Sequence, residues 1–307
     1  MVAEDPTVAW LLGGDPAVAA LAARDLLGRT VTRGTAASSP LISGLLDGLD
    51  ARPTAPPGPY GKWTGAHWRL ISLVELDLEP GHPAGREACA AILDFWNRPA
   101  HVASVRVIEG RARRCGSQEG NAIAVACRFG LADDPRTRAL VDRLVHCQWP
   151  DGGWNCDLRP EARHSSFHET VGPLWGLAEY ADATGEVAAR AAADRAADLL
   201  LRHEVVFSRR TGALIHPGFG VPHYPPYWHY DLLQALLILG RAGHGEDPRT
   251  ERARGLLTAR RRPDGRWTAA RRWWRPPGSP GSSVEAVDWG EAAHQMVTLN
   301  ALRVGAG

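Results

Sequence analysis

The amino-acid sequence predicts an all-α protein built from repeated helix pairs. Apolar residues recur at the spacing of amphipathic helices over most of the 307 residues. One unit, in which an apolar helix, a break, a second helix and a turn with glycine and tryptophan follow one another, occurs more than once. Strand patterns are nearly absent, since only residues 102 to 110 alternate. These observations favour helical repeats that stack or close on themselves.

Two copies of the repeat match in register. One ends at Trp154 and the other at Trp267, and each carries Asp-Pro-Arg before its second helix. The aspartate is predicted to cap that helix and the proline to occupy its first turn. Further pairs are predicted at residues 168 to 204 and 63 to 96, with a last inner helix at 291 to 304. The sequence therefore predicts about five helix pairs, the last one truncated.

The chain divides into three predicted segments. Residues 1–32 contain a short helix pair and are predicted to form an N-terminal helical cap on the main body. Residues 33–59 are rich in serine, threonine, proline and glycine and are predicted to be a linker. Residues 60–307 are predicted to form a single repeat domain.

Composition limits the location and the partners of the protein. The formal net charge of +1 gives no overall attraction to nucleic acid or to an anionic membrane. No apolar stretch approaches the roughly 18 residues that a membrane span needs, and the acidic N-terminal sequence is unlike a secretory signal. The five cysteines are an odd number and are expected to be reduced thiols. We expect a soluble, cytoplasmic protein that binds a small molecule, and the sequence leaves its oligomeric state open.

The turn at residues 148 to 154, Gln-Trp-Pro-Asp-Gly-Gly-Trp, is the most specific motif of the chain. It resembles the QW motifs of squalene-hopene and oxidosqualene cyclases, and residues 261 to 267 repeat it without the glutamine. Over about residues 60 to 305 the chain resembles the superfamily of these cyclases and of protein prenyltransferase β subunits. The resemblance implies an α/α toroid with two concentric helix rings around a cavity. It also implies structural rather than catalytic roles for Gln148, Asp151, Trp154, Asp264 and Trp267.

The amino ends of the inner helices would surround one mouth of such a cavity. The corresponding positions of this sequence carry more ionisable and polar groups than helix caps need, which is typical of a functional site. These groups are His67, Cys115, Gln118, Glu119, Asn121, Cys156, Asp157, His164, His168, Glu169, His229, Asp231, Asp288, Glu291 and His294.

The cyclase resemblance places residues 166 to 170, Ser-Phe-His-Glu-Thr, where the Asp-x-Asp-Asp motif of class II cyclases would stand. His168 then replaces the proton donor and Glu169 the final acid. Protonation of an alkene requires an unusually strong acid, and imidazolium is weaker than a carboxylic acid by several pKa units. We therefore do not expect squalene-type protonation, and Glu169, Glu119 and Asp231 are the alternative acids.

The prenyltransferase resemblance implies instead a zinc ion near the cavity rim. In that family an aspartate and a cysteine come from one inner helix and a histidine from the next pair. His168 and His229 occupy such helix starts here, and Cys156, Asp157 and His164 are candidates to complete a Zn(II) site. The family's Asp-x-Cys pair is not matched residue for residue. Cys115 and Cys156 are the most suitable thiols, because both precede inner helices in polar surroundings.

A site without metal is the third interpretation. Glu169 or Asp231 would then act with His168 or His229 as general acid and base. The aromatic faces of a cavity wall would stabilise a cation. The predicted wall consists of Trp63, His67, Trp68, Gln118, Asn121, Tyr227, Trp228 and Tyr230.

Two arginine clusters stand apart from these candidates. They consist of Arg111, Arg113 and Arg114, and of Arg271, Arg272 and Arg275. Guanidinium groups of this kind hold anionic head groups in many proteins, and the alternative is ordinary surface charge.

We expect a terpenoid-cyclase-like or prenyltransferase-like enzyme that acts on a small hydrophobic or isoprenoid-like substrate. It would be a cyclase, lyase or transferase that uses metal-assisted or His/Glu acid-base chemistry. The predicted catalytic residues are His168, Glu169, His229, Asp231 and Glu119. The alternative is a non-catalytic toroid that binds a lipid-like ligand or a partner protein.

Overall fold

The fold is taken from a computed structural model of the chain. The structure describes residues 5–31, 38–49, 58–270, 273–281 and 283–307. Within these ranges the regular secondary structure is helical apart from one two-stranded hairpin, which confirms the predicted all-α class. Part of the predicted linker at 33–59 lies outside the described residues, as do Arg271 and Arg272 of the second arginine cluster.

In the described part of its first half, the chain contains seven α-helices and the hairpin. These elements are α1 (Pro6–Leu12), α2 (Pro16–Leu27), α3 (Pro40–Leu46), α4 (Ala66–Glu75), α5 (Pro83–Asn97), α6 (Pro99–Ala103), β1 (Arg106–Ile108), β2 (Arg111–Arg113) and α7 (Gly116–Arg128). The second half contains α8 (Pro135–Cys147), α9 (Phe167–Thr184), α10 (Val187–Arg202), α11 (Leu232–Arg241), α12 (Glu251–Thr258) and α13 (Gly290–Arg303). The hairpin begins within the one stretch that carried a strand pattern.

Aspartate followed by proline starts several helices, as predicted. Asp15 accepts a hydrogen bond from the backbone N–H of Ala17 at 2.8 Å, and Asp134 accepts one from that of Arg136 at the same distance. Each side chain satisfies one of the free N–H groups at a helix start, while proline supplies the fixed backbone angle of the first turn. The equivalent Asp247 starts a short 3-10 turn, Pro248–Thr250, that leads into α12.

The two tryptophan-containing turns have matching hydrogen bonds. The indole N–H of Trp154 donates to the Leu144 carbonyl at 2.9 Å, and that of Trp267 donates to the Leu257 carbonyl at 2.8 Å. Both rings are buried. Each tryptophan thus ties its turn to the last turns of the preceding helix. This arrangement agrees with a structural role for the motif.

Glycines bring helices α7 and α9 into close contact. A β-carbon on Gly120 would lie 2.2 Å from the backbone nitrogen of Pro173, and one on Gly176 would lie 2.2 Å from the carbonyl oxygen of Gly120. These distances are far too short for any side chain, so only glycine allows the two backbones to approach this closely. The contact holds the first turns of α7 and α9 side by side.

The predicted N-terminal cap packs directly on the last predicted inner helix. Helix α2 lies against α13, and the side chain of Arg303 donates to that of Asp25 at 2.9 Å. The side-chain amide of Gln295 donates to the Trp10 carbonyl at 3.3 Å. Helices α1 and α2 therefore pack against the last predicted inner helix.

Each predicted inner helix contacts the next one along the chain. Helix α4 contacts α7, α7 contacts α9, α9 contacts α11, and α11 contacts α13. Closure of these contacts into a toroid stays a prediction. In the part of the chain that the structure describes, none of the helices combines the length and the apolar character that a membrane span requires.

Candidate metal centre

Two thiols and one carboxylate converge at the starts of α7 and α9. Cys115 is the N-cap residue of α7, Cys156 follows the Trp154 turn, and Glu169 lies in the first turn of α9. One ligand atom from each residue lies within 4.8 Å of the others. Among the described residues this is the one group of three or more potential ligands that meets this distance. The fold thus brings together residues that are far apart in the sequence.

Backbone hydrogen bonds hold the two cysteine-bearing segments together. The N–H of Arg114, directly before Cys115, donates to the Asn155 carbonyl at 3.0 Å, directly before Cys156. The N–H of Ser166 donates to the Trp154 carbonyl at 2.8 Å and so ties the start of α9 to the same turn. The turn that ends at Trp154 therefore positions Cys156, and its hydrogen bonds also hold the segments that carry Cys115 and Glu169.

Ser117 holds the carboxylate of Glu169. The backbone N–H of Ser117 donates to Oε2 of Glu169 at 3.0 Å, and the Ser117 hydroxyl donates to the same oxygen at 2.9 Å. The other oxygen, Oε1, lies 3.5 Å from Sγ of Cys156. One carboxylate oxygen is therefore anchored while the other faces the thiols. Metal-binding carboxylates are supported by hydrogen bonds of this kind.

The donor set fits zinc. Zn–S bonds of about 2.3 Å and Zn–O bonds of about 2.0 Å at a tetrahedral angle place sulfur and oxygen ligands about 3.5 Å apart. Cys156 Sγ and Glu169 Oε1 lie 3.5 Å apart, a separation that fits these ligand distances and also a hydrogen bond from the thiol to the carboxylate. Thiolate ligands favour zinc over the hard cations calcium and magnesium. Three protein ligands would leave one tetrahedral position open, as in catalytic zinc sites.

The environment sets the protonation of the three groups. A hydrogen bond from the Cys156 thiol lowers the pKa of Cys115, so Cys115 is the more readily ionised thiol. The same hydrogen bond, together with burial, raises the pKa of Cys156. Burial raises the pKa of Glu169, against which the hydrogen bonds from Ser117 act. A bound cation would favour the ionised form of all three groups.

Lys62 lies over two tryptophan rings and acts electrostatically on Glu169. The ammonium nitrogen of Lys62 lies 5.3 Å from the ring centroid of Trp63 and 5.1 Å from that of Trp228. Burial raises the pKa of Glu169, and the positive charge of Lys62 acts against that rise, so Lys62 lies close enough to act on the candidate ligand. Lys62 is exposed and is the only lysine of the chain. The side-chain amide of Gln118, in the first turn of α7, donates to the hydroxyl of Tyr60 at 2.8 Å.

His168 lies next to Glu169 but is not part of the ligand group. Its Nδ1 accepts a hydrogen bond from the backbone N–H of Tyr230 at 2.8 Å. Burial lowers the pKa of His168 to about 4, so the ring is neutral at pH 7. Since Nδ1 is an acceptor, the neutral ring carries its proton on Nε2.

His229 is held between two indole rings. Its ring centroid lies 4.0 Å from that of Trp228 and 4.2 Å from that of Trp273, and both pairs are stacked. Its centroid lies 6.2 Å from that of His168. The structure therefore places the two predicted histidine ligands near each other but brings neither into the group with Cys156.

Asp231 forms a buried pair with His223. Oδ2 of Asp231 lies 2.5 Å from Nδ1 of His223 and accepts the His223 backbone N–H at 3.0 Å. Oδ1 of Asp231 accepts the backbone N–H of Gln234 at 2.9 Å and so caps α11. These contacts occupy both oxygens of the predicted catalytic carboxylate.

Glu119 is enclosed by Arg114 and His101. Its carboxylate accepts hydrogen bonds from Arg114, and its Oε1 lies 2.9 Å from Nε2 of His101. Burial acts to raise the pKa of Glu119, but the hydrogen bonds from His101 and Arg114 outweigh it and lower the pKa. These contacts indicate a structural role for the predicted acid.

The remaining predicted wall residues pack in the interior. Trp63 stacks on Tyr227 with ring centroids 4.7 Å apart. The Asn121 side chain donates to the Tyr227 carbonyl at 3.2 Å, and the Tyr230 hydroxyl donates to the Val205 carbonyl at 2.6 Å. Trp68 and His67 are buried beside them. Aromatic side chains thus occupy much of the space between the inner helices, where a cavity of about 20 Å³ borders Tyr227.

The other predicted ligands, and the remaining polar residues predicted at the starts of the inner helices, lie at or near the surface. Asp157 pairs with the exposed Arg159, and His164 is exposed. Asp288 and Glu291 are exposed at the start of α13. His294 accepts the backbone N–H of Ala269 at 3.0 Å through Nδ1. The structure brings none of these residues to the thiol pair.

A wide pocket of about 810 Å³ lies at the opposite, carboxyl ends of the inner helices. Its arginines are already paired with carboxylates. Arg241 donates to Glu75 at 2.7 Å, and Arg303 donates to Asp25 at 2.9 Å. The charged side chains of this pocket therefore neutralise one another, and they do not form a group of metal ligands like the one at the amino ends of α7 and α9.

Sequence reasoning missed Ser117, Lys62, His101 and His223 as parts of these arrangements. A signal for Lys62 was present in the composition, because a single lysine among many arginines is unusual. Ser117 follows Cys115 by two residues at a helix start, where a hydroxyl commonly binds a neighbouring polar group. The partner of His101 lies 18 residues along the chain and that of His223 eight residues along it, so neither pair falls within one helical turn where sequence spacing would reveal it.

Comparisons with models of protein families, with curated proteins and with solved structures found no match to this chain.

Proposed function

We propose that this chain is a zinc-dependent enzyme that acts on a small hydrophobic or isoprenoid-like substrate beside Cys115, Cys156 and Glu169. One observation carries this proposal: two thiols and a buried carboxylate from three separate segments have ligand atoms within 4.8 Å of one another. A carboxylate buried beside thiols is unfavourable without a cation. A zinc ion would remove that cost.

The chain's own residues would divide the work at this centre. Ser117 orients Glu169 through two hydrogen bonds to one oxygen. Zinc, when bound, would supply a Lewis acid with one open coordination position. Lys62 would attract an anionic group of the substrate, and the partly buried ring of Trp228 would contact its apolar part.

The class of reaction follows from what is at the site and from the resemblance of the sequence. The motif at residues 148 to 154 resembles those of the toroidal cyclases and relates the chain to prenyltransferase β subunits. His168 stands where the class II cyclases carry their acid, and its low pKa of about 4 leaves it neutral at pH 7. We therefore favour a zinc-assisted transferase, lyase or cyclase over an enzyme that protonates an alkene. We also propose that the inner helices close into a toroid. The thiols require a reducing compartment, for which we propose the cytoplasm.

Metal analysis of protein purified without a histidine tag tests the proposal. We expect about one zinc per chain in the wild type, as for a structurally preformed site, and less than about a tenth of that in Cys115→Ala and Cys156→Ala. The matched control is Cys127→Ala, which removes another partly buried thiol from the far half of α7. Cobalt-substituted protein should show sulfur-to-metal charge-transfer absorption that both site variants lose.

Turnover is tested separately with geranyl diphosphate, farnesyl diphosphate and squalene, each followed by mass spectrometry. We expect zinc-loaded wild type to consume at least one of them and Cys156→Ala to consume none. Wild-type protein without stoichiometric zinc would contradict the metal centre. Zinc content that the two cysteine substitutions leave unchanged would place the metal elsewhere.

The second candidate function is a non-catalytic toroid that binds a lipid-like ligand or a partner protein. It is favoured by the structural pairing of Glu119 with Arg114 and of Asp231 with His223, which leaves two predicted acids without free oxygens. Zinc binding with no turnover of the three substrates would support this candidate.

A further inference from the structure

A second pocket, separate from the thiol pair, lies beside the β1–β2 hairpin and the carboxyl end of α8. Its volume is about 560 Å³, within the range of about 300 to 1,000 Å³ that is typical of small-molecule sites. Most of its wall is apolar and comes from Val102, Val105, Val107, Trp149 and Pro150.

Trp149 positions two arginines of the hairpin. Its indole N–H donates to the Ala112 carbonyl at 2.8 Å, which fixes the ring against β2. The guanidinium carbons of Arg111 and Arg113 lie 5.6 and 4.8 Å from the ring centroid. Aromatic contact of this kind orients a guanidinium without neutralising its charge.

Neither arginine is paired with a carboxylate among the described residues. Arg111 donates through Nη1 to the Glu109 carbonyl at 3.2 Å, and its buried Nε has no partner there. Arg113 is 4% exposed and donates through Nη1 to the Ala162 carbonyl at 2.8 Å. Its Nε and Nη2 also have no partner in the described part of the chain. Buried guanidinium donors normally bind an acceptor.

Arg143 contributes a further cation to the pocket. Its Nη1 donates to Oδ1 of Asn97 at 3.0 Å and its Nη2 to the Trp96 carbonyl at 3.3 Å. The carboxylate of Glu119 lies 4.0 Å away but already binds Arg114. The charge of Arg143 is therefore only partly compensated.

The ionisable groups that line the pocket are mainly basic. The basic ones are Arg111, Arg114, Arg143 and His146, and the acidic ones are Asp142 and the thiol of Cys147, whose pKa burial raises. Since Glu119 compensates Arg114, the excess positive charge comes from Arg111 and Arg143.

We propose that this pocket binds a small amphipathic anion, with its carboxylate or phosphate on Arg111 and Arg143 and its apolar chain against the valines and Trp149. Guanidinium groups bind both oxyanions through paired hydrogen bonds. An apolar wall next to two cations matches a molecule with a hydrocarbon body and one charged end.

Calorimetric titrations with octanoate, octyl phosphate and octanol test this site. We expect at least one of the two anions to bind, and octanol, which has the same chain without charge, to bind at least about tenfold more weakly. The stronger anion identifies the head group. Arg111→Gln and Arg143→Gln should each weaken anion binding by about tenfold or more, because each removes charge-assisted hydrogen bonds.

Two further variants separate loss of binding from loss of folding. Val107 is 70% exposed and lines the pocket, so Val107→Glu should repel the anion while the circular dichroism spectrum and the melting temperature stay unchanged. Arg210→Gln removes an exposed arginine in a distant turn and should leave binding unchanged. Equal binding of octanol and the anions overturns the proposal, as does anion binding that neither Arg111→Gln nor Val107→Glu weakens.

Discussion

Ser117 directs two donors, its backbone N–H and its hydroxyl, at a single oxygen of Glu169, at 3.0 and 2.9 Å. The two residues belong to neighbouring helices, α7 and α9, whose backbones touch through glycines. The carboxylate therefore has a fixed orientation, with its second oxygen toward Cys156 at 3.5 Å. Fixed orientation of a ligand before the metal binds reduces the ordering cost of binding.

Ser117→Ala should lower zinc affinity about tenfold to a hundredfold, as the loss of a hydrogen bond to a metal ligand commonly does. The backbone donor of Ser117 remains in this variant, so zinc binding should weaken rather than vanish. Competition with a chromophoric chelator measures the change. The control Ser104→Ala removes an exposed hydroxyl that bonds only to the His101 carbonyl. Unchanged affinity in Ser117→Ala would show that the hydroxyl does not support the site.

Gly120→Ala and Gly255→Ala should change stability in opposite directions. The first places a β-carbon 2.2 Å from the Pro173 nitrogen and should destabilise the fold by about 2 kcal/mol or more. The second lies in α12 with no atom within 4 Å of the added carbon and should stabilise it by about 0.5 to 1 kcal/mol. Urea unfolding measures both. A tolerated Gly120→Ala would mean that α7 and α9 are not in close contact.

Stability should fall in acid because of His67. Burial lowers the pKa of this side chain to about 3 in the folded state, whereas an unfolded chain has an ordinary value of about 6.5. Below about pH 6.5 the unfolded state binds the extra proton, so stability decreases as the pH falls toward about 3. At about pH 4.5 the loss from this group is about 2 to 3 kcal/mol relative to pH 7.5.

Urea unfolding of His67→Gln across this pH range isolates that contribution. Glutamine can still accept the hydrogen bond that the Trp96 indole donates to His67 at 3.4 Å, and it does not titrate. The variant should therefore lose less stability between about pH 7.5 and 4.5 than the wild type. His164→Gln, at an exposed position, serves as the control. An identical acid slope in His67→Gln and wild type would exclude His67 as the source.

Asp231→Asn should destabilise the protein by about 2 kcal/mol, since it disturbs a buried contact with His223 and weakens the cap of α11. Its zinc content should remain that of the wild type, because Asp231 is outside the thiol and carboxylate group. The matched control is Asp288→Asn at the exposed start of α13, for which we expect a change below about 0.5 kcal/mol. If Asp231→Asn lost its zinc while its stability stayed unchanged, Asp231 would be a residue of the metal site rather than a structural one.

Local signals were sufficient for much of the fold. Asp15 with Pro16 and Asp134 with Pro135 start helices because the cap and the proline act within one turn. The tryptophan turn at Trp154 was recognisable for the same reason. The packing of α2 on α13 had no local signal, because Asp25 and Arg303 lie at opposite ends of the sequence.

The candidate site was only partly predictable. Cys115, Cys156 and Glu169 stood out because each lies at or before a helix start in a polar segment. Their grouping depends on the close contact of α7 and α9, which composition does not reveal. Glu119 was as prominent in the sequence as Glu169, yet Arg114 and His101 occupy it.

The glycine contact between α7 and α9 should also slow the local opening of these two helices. Helices in backbone contact have little room to open separately, so the amide protons of residues 117 to 125 and 170 to 178 should be among the slowest of the chain to exchange with deuterium. The pair of helices α7 and α9 would then keep the thiols and the carboxylate at fixed distances from one another while other helices open locally. A ligand group built on it would be ready for a cation without first having to be assembled.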